Sequence, residues 1–86
     1  MVPSILVPTL LTQGGFRFFF WSNEGDPLEP PHVHVEYGDG VAKYWLEPVQ
    51  LADSAGMRAA DLKRAREIIE ANAANFQERW DAHFNS

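Results

Sequence analysis

Pro30-Pro31-His32-Val33-His34-Val35-Glu36 is the stretch on which the reading of this chain turns. Valine alternates with a polar residue at period two, the pattern of a strand with one face toward a core. Side chains two apart on a strand point the same way, about 6.5–7 Å apart along the chain. His32, His34 and Glu36 therefore share one face, and Val33 and Val35 share the other. The two prolines ahead of them bring no backbone donors and mark the strand's entry.

Working toward the C-terminus, Gly38-Asp39-Gly40 is a turn and residues 41–46 form the return strand. Asp39-Gly40 suits the centre of a type I′ turn. That placement sets Gly38 opposite Val41, Glu36 opposite Lys43, Val35 opposite Tyr44 and His34 opposite Trp45. Val33, Val35, Ala42, Tyr44 and Leu46 then share the apolar face, and His32, His34, Glu36, Lys43 and Trp45 the polar one. A one-residue slip would mix the two sets. Residues 48–56 read as a connection. From 57 to 84 the period is helical, with Leu62, Ala65, Ile69, Ala73, Phe76, Trp80 and Phe84 on one stripe.

Working toward the N-terminus, residues 22–31 are a loop rich in turn formers, carrying Glu24, Asp26 and Glu29. Phe16-Arg17-Phe18-Phe19-Phe20-Trp21 reads as a largely buried strand, and Gly14-Gly15 as a turn. Residues 2–12 are apolar, but Pro8 limits them to an edge strand. The expected fold is α+β: a three-stranded antiparallel sheet, with a possible extra N-terminal edge strand, packed on one long C-terminal helix. With 86 residues, one domain spanning 1–86 is expected.

Composition narrows function. There is no cysteine, which removes disulfides, thiolate metal sites and cysteine nucleophiles. Net charge is −5, with seven Lys and Arg, so stable DNA or RNA binding is disfavoured and RNA is expected only as a transient substrate. Lys63, Arg64 and Arg66 point to different sides of a helix and make no basic patch. No run is long enough to span a membrane, and the N-terminal stretch lacks the basic start of a signal peptide, so the expected setting is cytoplasmic.

The histidine face is where chemistry is expected. His-x-His on one strand can hold a metal through two imidazoles, with Glu36 or a loop carboxylate as a third ligand. The same imidazoles can act without metal as proton donor and acceptor near neutral pH, with Arg17 or Lys43 stabilising a phosphate-like anion. A plain solvated strand face fits the pattern as well. Arg17 interrupts an aromatic run and needs a carboxylate, for which Glu24 is the expected partner. Trp45 offers a ring for stacking. His83 is expected to pack at the edge of the helix stripe. No phosphate loop, nucleophile elbow or His-Glu-x-x-His is present, and no cofactor is expected.

Three segments together resemble a known family. They are Gly15-Phe16-Arg17-Phe18-Phe19-Phe20-Trp21-Ser22-Asn23-Glu24, Pro30-Pro31-His32-Val33-His34-Val35 and Ala42-Lys43-Tyr44-Trp45-Leu46-Glu47-Pro48-Val49. With the helix end Asn75-Phe76-Gln77-Glu78-Arg79-Trp80, they are similar to the bacterial domain of unknown function 4160. The resemblance covers residues 14–84 as a family-like core and leaves 1–13 as an atypical N-terminal extension. Arg58 stands where similar sequences carry a Ser or Thr helix cap, while Asp61 keeps the acidic half of that capping box.

The resemblance implies a short protein encoded beside a second small protein, in pairs proposed as toxin–antitoxin modules. Its recurrent motif positions are Arg17, Asn23, Glu24, Pro31, His32 and His34. The resulting expectation is a toxin-like component, acting as a metal-independent ribonuclease. His32, His34, Arg17 and Glu24 would be catalytic, and Lys43, Trp45 and Asn23 would bind substrate. The alternatives are a non-enzymatic interaction module or homodimer, which would use the apolar residues 5–11 and the aromatics of the histidine face, and a metal-binding domain built on His32 and His34. A small cognate protein or a second copy is the expected partner.

Overall fold

The computed structural model describes residues 9–21 and 29–84. Five strands precede one helix: β1 (Thr9–Gln13), β2 (Phe16–Phe19), β3 (His32–Tyr37), β4 (Gly40–Leu46), β5 (Val49–Ala55) and α1 (Ala59–Phe84). The strands follow each other across one antiparallel sheet in the order β1-β2-β3-β4-β5. The α+β class with a long C-terminal helix stands, but the sheet has five strands rather than three.

The N-terminal edge strand is β1. It joins β2 through Gly14 and Gly15, whose φ values of 60° and 85° are those of a type I′ turn. The strand missing from the sequence reading is β5, where a connection was expected. Its sequence VQLADSA leaves every side chain except the half-buried Val49 exposed. Such a strand carries no alternation to read. It exists because its backbone pairs with β4 across a tight turn at Glu47-Pro48, and Ala52 is the extra residue where the register shifts.

The β3–β4 hairpin keeps the expected parity but not the expected turn. Tyr37 pairs with Gly40, so Gly38-Asp39 is the loop and the register moves by two residues. Gly38 alone of the two loop residues has positive φ, 59°, the requirement of a type II′ turn. His34 faces Lys43 and His32 faces Trp45. Gly40 stands in the strand where a larger residue does not fit. A Cβ there would lie 2.6 Å from the Gly56 carbonyl oxygen and collide with Met57.

The helix covers the apolar face. Phe16, Phe18, Phe20, Val33, Val35, Ala42, Tyr44 and Leu46 from the sheet meet Ala65, Ile69, Phe76 and Trp80 from α1. Tyr44 reaches across the layers, its hydroxyl donating to the Leu62 carbonyl at 2.7 Å. α1 begins at Ala59, two residues later than expected, with the Arg58 carbonyl accepting from the Leu62 N–H at 3.0 Å. The Asp61 carboxylate, buried in the first turn, accepts from Arg58 Nε at 3.3 Å. Its charge there also suits the positive end of the helix dipole. No helix among the described residues is long and apolar enough to cross a membrane.

Candidate functional site

Parity places Arg17 and Phe19 of β2, His34 and Glu36 of β3, and Val41, Lys43 and Trp45 of β4 on the face that α1 does not cover. Phe19 lies opposite His34 and Arg17 opposite Glu36. The Phe19 and His34 rings stack at 5.6 Å between centroids, and Trp21 sits edge-on to both, at 5.5 and 5.8 Å. This aromatic group lines a depression of about 260 Å³ with Glu36, Val41, Lys43, Asp53 and Ser54.

Both cations on this face rest on a ring and bind a carboxylate. Arg17 donates to Glu36 at 2.9 Å, and its guanidinium carbon lies 4.4 Å from the Phe19 centroid. Lys43 donates to Glu29 at 3.2 Å, with its ammonium 4.6 Å from the Trp45 centroid. The expected Glu36–Lys43 pair is thus replaced by two others. The hairpin register puts Val41 rather than Lys43 opposite Glu36, the β2–β3 pairing puts Arg17 there, and Lys43 binds Glu29. Glu24, expected to pair with Arg17, lies outside the described residues, as does Asn23.

His32 is adjacent but differently placed. It is fully buried, 4.9 Å from Trp80, 5.3 Å from His34 and 5.6 Å from Trp45 between ring centroids. Its Nδ1 lies 3.0 Å from the Pro30 carbonyl oxygen. A carbonyl only accepts, so Nδ1 carries the proton and, in the neutral ring, Nε2 is the acceptor. Glu29 stands 3.9 Å from the same Nδ1. Of the two motif histidines, only His34 keeps surface exposed. His83 lies far along the helix, exposed, with its ring 4.5 Å from that of Phe84.

The structure therefore brings Arg17, His34, Lys43 and Trp45 onto one face, with His32 buried at its end. No group of three His, Asp or Glu side chains among the described residues is placed to hold a metal ion. Two contributors were not singled out from the sequence. Glu29 was one loop carboxylate among three; its signal is its position immediately before Pro30-Pro31, which confines it to an extended backbone leading into β3. Asp53 lies in the stretch whose sequence reads as a connection and carries no signal of its own.

A family model matches residues 15–81, and its description is Domain of unknown function (DUF4160). The chain belongs to the DUF4160 family. The match includes β2 to β5 and most of α1, and so the whole exposed face apart from β1. No curated protein and no solved structure matches the chain.

Proposed function

We propose that this DUF4160 chain is the partner-binding component of a two-gene, toxin–antitoxin-type module, and that it engages its small cognate protein through the helix-free sheet face. The observation that carries this reading is the pair Trp21 and Val41, each 47% exposed at the rim of the same depression. Exposed tryptophan beside apolar surface is the usual energetic centre of a protein interface. The two cations of the face are each bound to a carboxylate, which makes it a poor surface for a polyanion.

Coexpression with the adjacent gene product and size-exclusion chromatography test this. A joint peak is expected, and Trp21→Ser with Val41→Asp should abolish it. Separate elution of the two unaltered proteins rules the reading out.

One observation favours a second reading, a metal-independent, toxin-like ribonuclease. His34 is part-exposed on the strand that also carries Glu36 and directly opposite Lys43, so an imidazole, a carboxylate and a cation lie close together. RNA cleavage by purified protein that disappears in His34→Ala would support it. Equal growth arrest by wild type and His34→Ala would end it.

A further inference from the structure

We propose that the depression beside Trp21 and Asp53 receives a lysine or arginine side chain from a basic segment of a protein partner. This rests on the reading that the helix-free face binds protein, and it specifies the chemistry of what is bound. The face already seats two cations of its own in one manner: Arg17 over Phe19 against Glu36, and Lys43 over Trp45 against Glu29. Each combines a ring face with a carboxylate, which is how proteins hold guanidinium and ammonium groups at partly exposed sites.

Trp21 and Asp53, a ring and a carboxylate, both line the one depression, with Lys43 on the strand beside Asp53. The Asp53 carboxylate accepts from the Ser54 N–H at 2.9 Å. Lys43 stands opposite Asp53 in the β4–β5 register but its ammonium binds Glu29, and among the described residues no cation makes a salt bridge with Asp53, although all seven Lys and Arg are described. Arg58, Lys63 and Arg66 bind Asp61, Glu67 and Glu70; Arg79 donates to the Leu10 carbonyl; Arg64 lies over Phe16. Among the described residues the charged groups of the face are two cations and three carboxylates, Glu29, Glu36 and Asp53, on a chain of net charge −5. Complementarity therefore favours a positive partner. The volume, about 260 Å³, falls below the roughly 300–1,000 Å³ of small-molecule pockets and suits a single long side chain.

The test is an NMR titration of the ¹⁵N-labelled full chain with a hexa-arginine peptide, followed at the Trp21 indole and the Asp53 and Ser54 amides. Saturable shifts are expected at those groups. Asp53→Asn should weaken binding about fivefold, the worth of one charge-assisted contact at a partly exposed site. Glu78→Gln, which removes the same charge from the exposed side of α1, should change it by less than about twofold. Absent shifts at Trp21 and Asp53, or equal weakening by the two variants, would overturn the proposal. The cognate protein takes no part in this titration. Failure of the coexpressed complex therefore refutes the preceding reading alone, and unchanged peptide binding by Asp53→Asn refutes this one alone.

Discussion

His32 and His34 are two residues apart and face two different tasks. His32 has no exposed surface and contacts rings from the helix, from β4 and from its own strand. Its removal leaves a void at the sheet's end and strips the Pro30 carbonyl of its donor. His32→Ala should cost about 2–4 kcal/mol in urea unfolding, from lost packing and an unmade hydrogen bond. His34 packs on Phe19 at a part-exposed position, so His34→Ala should cost only about 1 kcal/mol. A loss of similar size from both would contradict the division of roles. Arg17 and Glu36 form a part-exposed ion pair, their side chains 35% and 46% accessible. Their coupling in a double-mutant cycle should be about 0.5–1 kcal/mol and shrink in high salt.

At the scale of elements, the β3–β4 hairpin and the helix start depend on each other. Gly40 sits in β4 beneath Gly56 and Met57, which lead into α1. Gly40→Ala would push that junction away and should lower stability by about 1–3 kcal/mol, the range for overpacking a tight contact. The same substitution at Gly38 meets no atoms, but it forces alanine to a φ of 59°. Circular dichroism melts of the Gly40 variant should show the loss without change in helix content at low temperature. A variant as stable as wild type would mean that the junction gives way freely. Trp80, buried against Phe20, His32 and Phe84, is the helix's main anchor. Its truncation to alanine should cost about 3–5 kcal/mol.

Across the whole molecule, one group ties the two layers together and gives stability a pH limit. The Tyr44 hydroxyl lies between sheet and helix. Burial raises its pKa above the ordinary 10.0, with Arg66 opposing in part. A raised acid pKa means that the folded state holds its proton more tightly than the unfolded chain. The stabilisation is therefore complete below pH 10.0 and is lost as pH rises through the folded value. Urea midpoints measured from pH 9 to 11.5 should fall more steeply for wild type than for Tyr44→Phe. Parallel curves would show that Tyr44 is not the responsible group.

Much of this architecture is legible in the residues. The alternation of 32–37 and 41–46 and the helical stripe of 57–84 each report burial through a periodic pattern, and each element is present with its apolar face inward; the Gly14-Gly15 turn is legible from its residue types. By itself the sequence determined the class of the fold and the parity of both histidines, while the side of the sheet that Arg17 takes came from its pairing with Glu36. Only the tertiary structure decided the fifth strand, the register of the hairpin and the ion pairs that follow from it. The reason is physical. β5 is held by backbone hydrogen bonds, to which an exposed side-chain pattern is blind, and Gly40 lies in β4 where Gly56 and Met57, far along the chain, leave no room for a Cβ. The β2–β3 pairing sets Glu36 beside Arg17, the β4–β5 pairing sets Asp53 across from Lys43, and together they shape the exposed face that the sequence alone could only locate.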